Sequence, residues 1–246
     1  MISHAISRRG LLALPLLAAM SETRVLAQGK AAVVVELFTS QGCSSCPPAD
    51  ALLNDLRRLP GVLTLAYHVD YWDYLGWKDT LASSSNSQRQ YDYAKSRGDM
   101  DVYTPQIVVD GKHHVVGSAR QSVMNAISEA RAKPAVAPLK ISESGMELVI
   151  EIGAGPATGE ATLWVMGVLP SQSVKVMKGE NAGRSIIYSR TVREAMPAGM
   201  WSGSAFTARL PKSGVLAGGC QACVALLQKG KVGPVLGAAQ WGDADA

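Results

Sequence analysis

Apolar residues recur in two different rhythms along this chain, and the rhythm changes near residue 138. Ala31 to Phe38 is an almost unbroken apolar run with three successive valines and a single acid, Glu36. Such a run predicts a strand buried on both faces, as in a sheet covered by helices. Thr39 to Gly42 is turn material. From Ala49, apolar residues recur at helical spacing (Leu52, Leu53, Leu56, Leu59) until Pro60-Gly61 stops them. Val62 to Val69 predicts a second strand. Asp79 to Arg97 is polar with Leu81, Tyr91 and Ala94 on one side, which predicts a helical insertion at the surface. Gln106 to Asp110 and His113 to Val116 read as strands joined by an Asp110-Gly111 hairpin turn, and Ala119 to Lys133 as a closing helix.

The first rhythm therefore predicts an α/β domain over residues 28–133, with a central mixed sheet flanked by helices. Residues 134–138, rich in Pro and Ala, read as a linker. From 139 to 246, short apolar runs alternate with Gly, Pro and Ser turns. That texture predicts a β-rich antiparallel C-terminal domain, either a sandwich or a sheet docked on the first domain.

Residues 1–27 read as an export signal rather than as part of the fold. Arg8 and Arg9 precede an apolar stretch from Gly10 to Met20, and Val25-Leu26-Ala27 offers a small-residue cleavage site. The stretch is too short to span a bilayer. Ser7-Arg8-Arg9-Gly10-Leu11-Leu12 also resembles a twin-arginine signal, so either the general secretory or the twin-arginine route leads to a periplasmic or secreted setting. Removing Arg8, Arg9 and Arg24 together with Glu22 takes the net charge of +4 down to about +2. With no run of Lys or Arg, nucleic acid is not an expected partner. A membrane span is not expected either.

The four cysteines form two CxxC pairs, Cys43/Cys46 and Cys220/Cys223. The first pair follows a buried strand and opens a helix. The first helical turn carries unpaired N–H groups and partial positive charge, so a thiolate there is stabilised and its pKa falls. Cys43 is then the exposed nucleophile and Cys46, one turn on, the resolving thiol. Pro47 and Pro48 lose no N–H bond in that turn. Thr104-Pro105 precedes a later strand, and Pro105 is the candidate for a cis bond, since cis bonds are essentially confined to X–Pro.

The strand before Cys43, the run Gly42 to Asp50, the strand Leu63 to Asp73 and the run Tyr103 to Gly111 resemble, in that order, the thioredoxin superfamily. More closely, the chain from the first strand to the C-terminus, including Val174 to Ala195 and Val235 to Trp241, resembles the secreted domain of unknown function 1223 family. The resemblance implies a thioredoxin-like domain with an appended β-rich part in a periplasmic or secreted setting. It carries the site over as Cys43, Cys46, Thr104 and Pro105. The backbone of the residue before the cis proline is then offered to an extended substrate chain.

Other residues extend the candidate site. Glu36, mid-strand among valines, either lies under the cysteines and moves the proton of Cys46 or is a salt-bridged strand residue. His68, Asp70, Tyr71 and Trp72 follow the second strand, where α/β sheets place ligands. They line a substrate groove, bind a metal through His68 and Asp70, or pack the insertion onto the sheet. For Cys220 and Cys223 the readings are a structural disulfide, a second redox pair, two free buried thiols, or a four-thiolate zinc site with Cys43 and Cys46. In one straight strand the two would lie about 10 Å apart and face opposite sides. The leading expectation is an exported thiol–disulfide oxidoreductase without a cofactor, whose partner is a substrate protein or a small thiol or disulfide. The alternatives are a non-enzymatic binding scaffold on a thioredoxin fold and a Cu(I) carrier.

Overall fold

The structure, a computed structural model, describes residues 32–132, 135–157 and 159–243. The export-signal reading of residues 1–27 lies outside them. The elements run β1 (Val33–Thr39), α1 (Pro47–Leu56), β2 (Val62–His68), α2 (Ser84–Arg97), β3 (Gln106–Val109), β4 (His113–Val116) and α3 (Arg120–Arg131). They continue with β5 (Leu139–Ser144), β6 (Glu147–Ile152), β7 (Ala161–Val168), β8 (Gln172–Lys175), β9 (Ser185–Tyr188), β10 (Val192–Trp201) and β11 (Phe206–Pro211). The short helix α4 (Lys212–Val215), β12 (Ala222–Lys229) and β13 (Val235–Gly242) complete the chain. No helix among the described residues is long and apolar enough to cross a membrane.

The first sheet has the order β2-β1-β3-β4, with β1 and β2 parallel and the other pairs antiparallel. Side chains alternate across a strand, and both faces of β1 are used. Val33, Val35 and Leu37 meet Leu52, Leu53 and Leu56 of α1 and Val123 and Ile127 of α3. Val34 and Phe38 meet Tyr93 of α2 and the apolar face of a second sheet, β10-β7-β12-β13.

That second sheet is covered on both sides too. Val224 and Leu226 of β12 face the first sheet, while Cys223, Ala225 and Leu227 face Leu148, Ile150 and Ile152 of a third sheet, β11-β6-β5. Burial on both faces explains why β12 reads as a continuous apolar run rather than an alternating one. The β-rich half is thus both sandwich and docked sheet, and it shares a core with the first half. Residues 135–138 are not a solvent-exposed tether: Ala137 is buried, and the N–H groups of Val136 and Ala137 donate to Leu236 O. The C-terminal half also extends the first sheet beyond β2, where Ala66 N donates to Arg190 O and Ala66 bridges Thr191.

The Asp110-Gly111 turn joins β3 to β4 with positive φ at both residues, 47° and 66°, the pairing a type I′ hairpin requires. A Cβ on Gly111 would overlap the Gly233 carbonyl of the C-terminal half. Gly111→Ala is therefore expected to lower stability by roughly 2 kcal/mol or more in urea unfolding. Alanine as tolerated as glycine would contradict the tight turn.

Candidate active site around Cys43 and Cys46

β1 ends at Thr39, and the chain turns through Ser40 to Gly42 so that Cys43 N donates to Ser40 O at 3.2 Å. Cys46 caps α1, its carbonyl taking the N–H groups of Ala49 and Asp50 at 2.8 and 3.1 Å. The two prolines at the helix start have no N–H to leave unpaired. Cys43 and Cys46 are joined by a disulfide with their Cα atoms 5.4 Å apart. Cys43 lies just ahead of the helix's positive end.

The Thr104–Pro105 bond is cis. Gly117 packs between Pro105, Ala49 and Leu37, which seats the proline against the start of α1. Trp72 ties the two features together. Its Nε1 donates to Thr104 Oγ1 at 2.8 Å, and its Cβ lies close to Gly42. Trp77 Nε1 donates to Gln41 Oε1 at 2.9 Å, and Gln41 N donates to Asp79 Oδ2 at 2.8 Å. The aromatic segment after β2 therefore wraps the turn that presents Cys43.

Neither cysteine is exposed: both are at 0%. The expected exposed nucleophile is buried, and the C-terminal half is bonded to the backbone that carries it. Between β8 and β9, Asn181 is fully buried and donates from Nδ2 to Cys43 O at 2.8 Å and Gln41 O at 3.0 Å. Beside it, Ser44 N donates to Glu180 Oε2 at 3.2 Å. β9 itself runs along α1, where Asn54 Nδ2 donates to Ile187 O. No local pattern announced this role. Residues 178–183 look like an ordinary Gly-rich turn, and only its return to the cysteines some 140 positions earlier gives it a function.

Asp50, one helical turn beyond Cys46, is buried. Burial pushes its carboxyl up to about 7, against the opposing influence of His68. A folded-state value above the unfolded one means that the folded chain keeps a proton the unfolded chain releases. Stability is then expected to fall by about 1.4 kcal/mol per pH unit as pH rises through roughly 4 to 7. Urea unfolding at about pH 5 and 6.5 reads this slope, and Asp50→Asn is expected to flatten it. An unchanged slope in that variant would contradict a raised Asp50.

The family described as "Protein of unknown function (DUF1223)" matches residues 34–228, from within β1 to within β12. The chain belongs to that family. The matched span contains both cysteine pairs, Thr104-Pro105, Asp50 and Asn181. Among solved structures, this DUF1223 chain is similar to protein AGR_C_4864 from Agrobacterium tumefaciens. The identity is 36%, the match covers 87% of this chain and 95% of that one, and the TM-score is 0.75. It also has a likeness of fold to HBP35 of Porphyromonas gingivalis. That match has 15% identity, covers 87% of this chain and 75% of that one, and has a TM-score of 0.59. No curated protein matches.

The remaining predicted site residues of this DUF1223 chain lie elsewhere. Glu36 faces the second sheet, not the cysteines. Its Oε1 accepts from Arg89 Nε at 3.0 Å and Nη2 at 2.7 Å, and its Oε2 accepts from Tyr93 OH. It shares its face of β1 with Val34 and Phe38, whereas α1 covers the other face. The alternation of the strand decides the matter, and the salt-bridged reading of Glu36 holds.

His68 and Asp70 do not share a metal site. His68 Nδ1 pairs with Asp79 Oδ2 at 2.8 Å, and Asp70 accepts from Ser87 Oγ. Tyr71 OH donates to Gln90 on α2. Of the groove candidates, Trp72 touches both the turn before Cys43 and Thr104, and Tyr71 also acts on the Thr104 hydroxyl. Among the described residues no cluster of three or more His, Cys, Asp or Glu could hold a metal.

Cys220 and Cys223 are free and buried. Cys220 packs with Leu169 and Tyr188, while Cys223 packs with Leu148 and Ile150. Cys220 lies in the turn ahead of β12, with its Sγ against Gly167, the residue that pairs with Cys223; the two thiols are unbridged, and no cluster among the described residues fits a four-thiolate site. Burial pushes the Cys223 thiol up to about 12 and raises Cys220 as well. Both are expected to resist iodoacetamide in the folded protein at neutral pH, since the thiolate is the reactive form. Mass spectrometry showing rapid labelling of either would contradict this.

Proposed function

We propose that this chain is an exported thiol–disulfide oxidoreductase on a thioredoxin-like fold, acting on protein or small-molecule disulfides and dithiols. The observation that carries it is the Cys43–Cys46 bridge at the start of α1, joined through Trp72 to the cis Thr104–Pro105 bond. A cysteine pair after β1 and a cis proline before β3, in a sheet ordered β2-β1-β3-β4, support the thioredoxin-like assignment. Export is supported by the arginines, apolar stretch and small-residue cleavage site within residues 1–27.

In the oxidising direction a substrate thiolate attacks Cys43 Sγ. The Cys43–Cys46 bond breaks, and its electron pair goes to Cys46, which takes the proton held on Asp50. A second substrate thiol loses its proton to solvent and attacks the mixed disulfide, releasing Cys43 as a thiolate. The substrate loses two electrons and the cysteine pair gains two. The reverse direction uses the same atoms.

Dithiothreitol opening of the disulfide, followed through the fluorescence of Trp72 and Trp77, tests the chemistry. Incubating Cys46→Ala with a disulfide-bonded protein tests the intermediate. Opening by the dithiol and a trapped Cys43 mixed disulfide are the expected results. A bridge that stays closed while the folded chain captures nothing overturns the proposal. The burial of Cys43 favours a second reading, a binding scaffold with a structural disulfide, and that negative outcome is the one it requires.

A further inference from the structure

Four buried polar side-chain atoms around the start of α1 lack a well-formed hydrogen bond, Thr39 Oγ1, Asp50 Oδ2, His68 Nε2 and Tyr188 OH, although the Thr39 hydroxyl acts on the Asp50 carboxyl. Thr39 and His68 are partners in the β1–β2 register. The Tyr188 ring meets the His68 ring edge-on with centroids 4.6 Å apart. Asp50 interacts electrostatically with His68 and Asp79, and Tyr188 with both acids. A buried polar atom without a partner costs about 1–3 kcal/mol. Several such atoms together, next to a reactive bond, call for a reason other than packing.

The other side of the His68 ring is fixed. Nδ1 lies 2.8 Å from Asp79 Oδ2, and Asp79 also accepts the N–H groups of Gln41 and Leu81 at 2.8 Å. Hydrogen bonding at one ring nitrogen fixes the ring's orientation and the role of the other. Nε2 is left without a partner in a ring that acts electrostatically on Asp50. Gln41, two residues before Cys43, also anchors the turn to Asp79.

We propose that His68, held by Asp79, is a positioning residue for Asp50, taking up a proton on Nε2 when the carboxyl gives its own to Cys46. Opening the disulfide places an electron pair on Cys46 Sγ. Asp50 supplies that sulfur's proton and becomes a carboxylate. His68 takes one proton from solvent and compensates the new charge between Asp50 and Asp79. On closing, each proton returns by the same route. The groups facing the His68 ring are Asp50 from α1, Asp79 from the loop before α2, and Tyr188 and Thr39 from β9 and β1. The proposal rests on the oxidoreductase reading, because it needs the disulfide to open.

The test uses nitrogen-15 histidine labelling of the full chain with His4, His113 and His114 replaced by Gln, so that His68 gives the remaining ring signals. Spectra are compared between the oxidised and dithiothreitol-reduced protein from pH 5 to 9. The expected result is that His68 Nε2 carries a proton in more of the reduced protein than of the oxidised protein at the same pH. Asp50→Asn is expected to remove that redox-linked difference and to slow opening about tenfold or more. Tyr188→Phe, which deletes only a hydroxyl, is expected to keep the difference and guards against a variant that fails to fold. Identical His68 ring signals at every pH in an oxidised and a fully opened protein overturn this inference alone. A disulfide that dithiothreitol cannot open overturns the oxidoreductase reading and this inference with it.

Discussion

Arg89→Met is expected to cost about 3–5 kcal/mol of folding stability, the usual penalty for removing one partner of a buried ion pair. Arg89 lies in the core between the two halves, 6% exposed, with Glu36 fully buried opposite it. Its guanidinium gives hydrogen bonds to Glu36, Tyr93 and Gln228. It also lies over the rings of Tyr67, Tyr93 and Trp164 at 5.1–5.6 Å. Methionine fills similar volume but leaves the Glu36 carboxylate without its counter-charge. Out of a typical total of about 5–15 kcal/mol, that loss is large.

Because the carboxylate is the source of the penalty, the double variant Glu36→Leu/Arg89→Met is expected to recover most of it. Urea unfolding of wild type, single and double variants gives the comparison. A loss under about 1 kcal/mol for Arg89→Met would show that water or a rearranged partner compensates Glu36. Neither variant is expected to change the rate at which dithiothreitol opens Cys43–Cys46, because the pair lies on the far face of β1.

The same residues mark where local pattern stopped being informative. Runs of apolar residues placed β1, β2 and α1 to within a residue or two at most ends, because both faces of β1 and one face of α1 are buried in hydrocarbon. The Asp-Gly turn was legible for a related reason: its backbone demands those residue types. α2 misled. Its polarity suggested a surface insertion, yet Asn86, Ser87, Arg89, Gln90 and Tyr93 are buried and Tyr91 is the exposed one. A helix whose inner face bonds to buried partners on other elements looks like a solvated one to any hydrophobic count.

The candidate site divides the same way. The cysteine pair and Thr104-Pro105 are adjacent in sequence to their structural cues. Asp50 was hidden because only the fold shows that the start of α1 faces inward, and Glu36 was the acid that stood out among valines. Asn181 belongs to another half of the chain, and no periodicity links it to Cys43.

Asn181→Ala is the substitution expected to raise reactivity most. Dithiol attack needs a path to the buried Cys43, whose backbone the loop between β8 and β9 holds. Two hydrogen bonds hold the tip of that loop to the Gln41 and Cys43 carbonyls, and alanine removes both. At about 1 kcal/mol each, and with carbonyls that solvent can satisfy only when the loop lifts, opening becomes easier by about 1.5–3 kcal/mol. If opening precedes attack, the second-order rate with dithiothreitol rises about 10–100-fold. Global stability should change less, since a surface loop opens locally without unfolding the sheets beneath it. Stopped-flow tryptophan fluorescence measures the rate, and urea unfolding supplies the control. A rate within twofold of wild type would mean that a small thiol already reaches Cys43 with the loop down. A gain much larger for a protein thiol than for dithiothreitol would identify the loop as a filter on substrate size. Glu180→Gln is the weaker counterpart, because the single bond it loosens, from Ser44 N, lies at the exposed rim.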